Sequence, residues 1–237
     1  IGLGPLLDRT NCNIIISEYN RTIQAFMVKS VDRIVNMNWD EIMPPPKGTG
    51  RSHYLTAITK VDKQIVEIID VEKVLQEISP YNTTVNPELI DNDILSLAEG
   101  IEILAVDDSS VGLSQVRETI GQLGIKILSA RDGATALRML KKWADEGIEV
   151  PRKLAMIITD AEMPEMDGYR LTKEIREDAR LKDLFVILHT SLSGSFNNAM
   201  IQKVGCDAFL SKFEPDKLAL TVQDRIRAYR ERYPKNR

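Results

Sequence analysis

The sequence predicts an α/β protein: a five-stranded parallel sheet wrapped by helices, preceded by a smaller β-rich region. Three observations carry that expectation. From Ile101 onward, short apolar runs alternate five times with stretches of helical length and period, the pattern of a sheet covered on both faces. Residues 1–81 hold paired β-rich runs joined by short polar turns. The stretch 82–100 between them is rich in Asn, Asp, Pro and Thr and reads as a linker. A length of 237 residues suits such a two-domain division, 1–81 and 101–237.

In the first region, Asn13–Glu18 and Thr22–Val28 are β-rich runs around Tyr19-Asn20-Arg21, a hairpin signal. Leu55–Lys60 and Gln64–Ile69 form a second pair around Val61-Asp62-Lys63. Pro44-Pro45-Pro46-Lys47-Gly48-Thr49-Gly50 is a loop, because the prolines lack an amide donor and the glycines leave φ unrestrained. Asp70 caps a short helix to about Ile78, with Pro80 as its stop. The expected product is a small β-barrel-type unit, incomplete at its N-terminal side. Pro87–Ala98 in the linker has the makings of a helical turn started by Asn86-Pro87.

In the second region the strands are Ile101–Val106, Ile125–Ala130, 154–159, 185–190 and 208–210. Helices follow each: one capped by Ser109 or Ser110 and running to Leu123, one opened by Asp132-Gly133, then 169–178, 195–204 and 215–230. Right-handed crossovers leave few topologies for five such units, and the flavodoxin-like strand order is expected. Trp143 and the stretch Glu146–Pro151 lengthen the second helix and its exit loop without suggesting chemistry.

The residues at the strand ends suggest the chemistry. One strand ends in Asp107-Asp108, another in Asp160 followed by Glu162, a third in Thr190, and the last reaches Lys212. In an open parallel sheet, ligands bind outside the carboxyl ends of the strands. An aspartate at a strand end is ordinarily a turn or cap residue. Three converging acids are different, because they repel one another and raise one another's pKa unless a cation neutralises them. Oxygen donors without His or Cys select Mg²⁺ or a similarly hard ion.

These residues resemble the receiver domain of two-component response regulators. The resemblance rests on Val106-Asp107-Asp108-Ser109, on Thr159-Asp160-Ala161-Glu162-Met163-Pro164-Glu165-Met166-Asp167-Gly168, and on Thr190 and Lys212. It implies that Asp160 is a phosphoacceptor taking a phosphoryl group from a kinase phosphohistidine. It implies that Asp107, Asp108, Asp160 and the backbone carbonyl of Glu162 hold Mg²⁺. Lys212 would pair with a phosphoryl oxygen, while Thr190 and Phe209 would be the switch residues. Glu162, two residues past the acceptor, would influence the lifetime of the phosphate. The family usually has proline directly after the lysine, with a cis peptide before it; here Phe213-Glu214-Pro215 follows. A non-proline cis bond costs about 3 kcal/mol, so a differently shaped, trans loop is expected.

Residues 1–81 resemble the later part of a CheW-like coupling domain, the adaptor between chemoreceptors and their histidine kinase. Ile14-Ile15-Ile16, Ala25–Val28, Val31-Asp32-Arg33-Ile34-Val35, Trp39 and Met43–Pro46 carry this, together with Ile68–Leu75. The two resemblances together imply a chemotaxis adaptor, regulated by phosphorylation and not a turnover enzyme. Its partners would be a CheA-type histidine kinase and the cytoplasmic tip of a chemoreceptor. A Mg²⁺-dependent phosphohydrolase using Asp160 as nucleophile is the alternative.

Composition agrees with a cytoplasmic protein. No apolar run spans a membrane and no signal segment opens the chain. Cys12 and Cys206 lack pairing or metal-ligand spacing. A net charge of −4 gives no nucleic-acid footprint. Arg225, Arg227, Arg230, Arg232, Lys235 and Arg237 cluster at a helix C-terminus, where the macrodipole favours cations. The start at Ile1 suggests a fragment of a longer protein.

Overall fold

The computed structural model describes residues 12–19, 22–44, 54–71, 74, 82–190, 203–212 and 214–235. They fall into two compact units, residues 1–80 and 81–237.

In the first unit, β1 (Asn13–Tyr19) pairs antiparallel with β2 (Thr22–Val28), and β3 (Leu55–Val61) with β4 (Gln64–Ile69). The second hairpin turns through Asp62 and Lys63, both at positive φ (50° and 66°), as a two-residue turn matching the strand twist requires. Met43 forms a bridge to Ile58, with amide–carbonyl distances of 2.8 and 2.9 Å, and the Thr59 hydroxyl donates to the Glu41 carbonyl. The barrel-type closure expected here comes down, among the described residues, to these two pairs and one bridge. Ala57, Thr59 and Val74 are buried, whereas Ile14, Ile16, Ile23 and Ile65 stand exposed. Asn20, Arg21, most of the Pro44–Gly50 loop, Pro80 and all but two residues of the helix expected after Asp70 lie outside the described residues.

The second unit is the doubly wound sheet. Its strands are β5 (Glu102–Val106), β6 (Lys126–Ala130), β7 (Leu154–Thr159), β8 (Val186–Thr190) and β9 (Ala208–Ser211). All pairs are parallel, in the order β6-β5-β7-β8-β9, which is the flavodoxin-like order. Every residue of β7 is buried, as a central parallel strand requires.

The two-residue side-chain period of the strands builds two cores. Ile103, Ala105, Met156, Ile158 and Ile187 face α1 (Ile94–Ala98), α2 (Ser110–Gly121) and α6 (Pro215–Arg232). Leu104, Val106, Ile157 and Val186 face α3 (Gly133–Asp145), α4 (Val150–Lys153) and α5 (Gly168–Glu177). Two caps fall where the sequence places them, Ser109 accepting from Val111 and Gly112 and Asp132 from Thr135, and the structure adds Asp167, which accepts from Arg170. Of the helix expected over 195–204, only residues 203 and 204 are described, and both are helical.

The stretch 82–100, expected as a linker, is instead packed on the second unit. Val85, Ile94 and Ala98 are buried in the first core. The buried Gln223 carboxamide accepts from the Asp91 amide (2.9 Å) and donates to the Leu89 carbonyl (2.8 Å). The Asn86 amide donates to Asp216 (2.8 Å), and Gln122 engages the Val85 amide and the Thr83 carbonyl. The basic cluster of the last helix serves the same purpose. Arg227 pairs with Asp91, Arg230 donates to the Leu97 and Glu99 carbonyls, and Lys235 donates to Ser96 and Glu99. Arg225 donates to the Ala155 carbonyl and stacks on Phe185, while Arg232 pairs with Asp183. Polar composition misleads here because the segment docks through backbone groups met by side chains about 130 residues away.

Replacing Gln223 by Ala leaves the part-buried Asp91 amide and Leu89 carbonyl without this partner. A loss of about 1–3 kcal/mol in the local opening free energy is expected, read by amide hydrogen exchange at Asp91 and in the surrounding turn.

Candidate functional site

The site lies at the carboxyl ends of β5 and β7, where the chain winds outward from the first strand in opposite directions. Asp107 and Asp108 follow β5, Asp160 follows β7, Thr190 closes β8, and Lys212 follows β9. Parallel hydrogen bonding brings the ends level: the Asp160 amide donates to Val106 (2.8 Å) and the Lys212 amide to Thr190 (2.9 Å).

The Lys212 ammonium sits between two carboxylates, 2.9 Å from Asp107 Oδ2 and 2.8 Å from Asp160 Oδ2. Asp107, Asp160, Thr190 and Lys212 are all buried, whereas Asp108 is exposed. One oxygen from each of Asp107, Asp108 and Asp160 lies within 4.8 Å of the others, and the described residues hold no other such group of acids, His or Cys. The structure thus brings together the three acids and the lysine that the sequence singles out.

One ammonium does not balance these acids. Burial pushes Asp107 up to about 7, with Asp160 adding to the rise and Lys212 opposing it. Glu162 is raised too, first by burial and then by Asp160. The Asp107 Oδ1 atom accepts the Ser109 amide (2.9 Å), so its Oδ2 side alone faces Lys212. An oxygen-only donor set with surplus negative charge fits a hard divalent cation. The Glu162 amide reaches Asp160 Oδ1 at 3.4 Å, which places the start of the Ala161–Asp167 loop beside the acceptor. Phe209 is partly buried on β9, its backbone in register with Leu188. Phe213 lies outside the described residues.

Two glycines shape this site, and the sequence motifs had not flagged Gly112. A Cβ on Gly112 would overlap the Asp107 carboxylate, and one on Gly168 would overlap the Asp160 carbonyl. A glycine within a helical pattern was the available signal for the first. In the Ala161–Asp167 loop, Glu165 holds a left-handed backbone (φ 63°), and the Gly168 amide closes back on the Ala161 carbonyl (3.1 Å). His189, one residue before Thr190, is fully packed away, and burial drives its pKa down to about 3.

Comparison with known proteins adds to this geometry. The response regulator receiver domain family matches residues 103–223, and the CheW-like domain family matches residues 1–79. Chemotaxis protein CheV3 of Helicobacter pylori is 29% identical over 227 residues, covering 92% of this chain and 70% of that protein. Chemotaxis protein CheV2 of the same bacterium is 30% identical over 207 residues, covering 84% of this chain but 62% of the relative's own length. The crystal structure of a two-component response regulator/GGDEF domain protein aligns at TM-score 0.50 and 26% identity, over 57% of this chain and 53% of that one.

Two outcomes follow from the packing. Gly168→Ala must move backbone beneath Asp160, so a loss of about 3 kcal/mol in urea unfolding is expected, together with weakened divalent-cation binding. His189 stays neutral in the fold, while the unfolded chain protonates it below its ordinary pKa of 6.5. Its contribution to stability is complete above pH 6.5 and is lost as the pH falls towards 3, by at most about 1.4 kcal/mol per pH unit. His189→Gln should flatten that slope in the opening free energies of the β8 amides.

Proposed function

We propose, on the premise that this chain belongs to the response regulator receiver family, that it is a chemotaxis coupling protein whose receiver is switched by phosphorylation of Asp160. The observation that carries this is the Lys212 ammonium shared by the buried Asp107 and Asp160 carboxylates, with Asp108 at the rim. The CheW-like match over residues 1–79 and the CheV relatives support the coupling half.

In this reading an Asp160 carboxylate oxygen attacks the phosphorus of a phosphohistidine on a CheA-type kinase. The phosphorus–nitrogen bond breaks, the imidazole nitrogen keeps the electron pair and takes up a proton, and Asp160 becomes an acyl phosphate. Asp107, Asp108, Asp160 and the Glu162 carbonyl are the groups that would hold Mg²⁺. That ion, when bound, would neutralise charge on the phosphoryl oxygens. Lys212, 2.8 Å from Asp160, would pair with a phosphoryl oxygen, and its low exposure would strengthen that interaction. Glu162, held at the mouth with a raised pKa, is placed to influence water approaching the acyl phosphate.

Thr190 would turn its hydroxyl to the new phosphoryl oxygen, and Phe209 on the adjacent strand would follow. The upstream region would dock on the kinase and on the cytoplasmic tip of a chemoreceptor, so that the state of Asp160 alters their coupling. No helix among the described residues is long and apolar enough to cross a membrane.

Incubation with Mg²⁺ and acetyl phosphate should leave stable label on the wild-type chain and none on Asp160→Asn. Chelation of the cation should abolish labelling. Lys212→Ala should cut the labelling rate by about 10²–10³-fold, the usual effect of losing one charge-stabilising donor. Rapid multiple turnover of varied phosphate esters would overturn the adaptor reading in favour of a phosphohydrolase.

A further inference from the structure

Beside the β8 strand end, the second unit holds a small, partly open cavity with both polar and apolar walls. It is lined by Thr83 of the docked segment, Gln115 and Thr119 of α2, His189 of β8, and Glu214 at the start of α6. Gln115 is 7% exposed, and neither its carboxamide nitrogen nor its oxygen has a hydrogen-bond partner among the described residues. A buried amide left unmet is costly, and native proteins resolve it with another group or with water. Thr119 reaches the Thr83 carbonyl only at 3.5 Å, leaving its hydroxyl weakly engaged.

Size decides what can enter. The space is that of about one water molecule. A buried water needs two to four polar partners, and this wall supplies them from four separate elements.

We propose that the chamber is a specific hydration site, in which one ordered water links the Gln115 carboxamide and the His189 imidazole and fastens Thr83 to the receiver. The site is independent of the phosphoryl chemistry, yet it adjoins it. His189 immediately precedes Thr190, and Glu214 follows Lys212 by two residues. The water therefore joins the strand end that carries the switch hydroxyl to the segment entering from upstream. The neutral imidazole, with one donor and one acceptor nitrogen, suits a water that must do both.

The test is nuclear magnetic resonance on the full labelled chain. In the wild type, cross-peaks between a long-lived water and the Gln115 side-chain amide are expected. Gln115→Leu discriminates by sign. If water fills the chamber, the variant strands the partners left behind, and exchange at the Val85 and Asn86 amides speeds up about five-fold. If the chamber is dry, the same change removes an unmet amide, and exchange slows or stays constant. Absence of the water cross-peaks in the wild type would overturn the proposal even should the variant fail to fold.

Discussion

The second unit is organised around one buried ammonium shared by two carboxylates. Lys212 touches Asp107 and Asp160 at 2.9 and 2.8 Å, in a place where all three are nearly sealed from solvent. Removing such groups from water costs several kcal/mol per ion, and mutual attraction repays that only with good geometry and further hydrogen bonds. Here the geometry comes from three strand ends held level by parallel pairing, and the further bond comes from the Ser109 amide. Even so the balance is incomplete, because Asp107 is pushed up to about 7. A triad of this kind is a poor device for stability. What it does supply is a strong local field at the strand ends.

That constraint reaches into the packing beneath. Helix α2 can approach Asp107 only because residue 112 lacks a side chain, and α5 can start under Asp160 only because residue 168 lacks one. The strands in turn must be buried on both faces to hold their ends so firmly, which is why β5 and β7 send alternate residues into two separate cores.

Much of this was legible in the sequence. The apolar runs, their strand–helix alternation and the Ser109 and Asp132 caps located the main elements closely. The acids and the lysine could be placed together because a parallel sheet puts every strand's carboxyl end on one edge. What escaped was the role of residues 82–100. Hydrophobic periodicity is the main signal of packing, and this segment contributes only a few buried apolar side chains, among them Val85, Ile94 and Ala98. Its attachment is a set of backbone groups satisfied by Gln122, Gln223 and Arg230, together with the Arg227 ion pair to the Asp91 carboxylate, partners no local pattern reveals. The same error of scale applied to the C-terminal arginines, which look like a solvated helix end until the segment they clasp is in view.

The docking of that segment bears on how a switch could be heard upstream. A free tether of this composition would behave as a flexible coil, and a small shift at a strand end would be lost in its conformational freedom. A segment held from Thr83 to Glu99 against α2 and α6 has no such freedom to absorb the shift. Both helices border the strand ends: α2 carries the Asp107 contact at Gly112, and α6 begins three residues after Lys212. Through these two helices the strand ends that carry Asp107 and Lys212 are tied, by packed groups, to the segment that begins at Thr83.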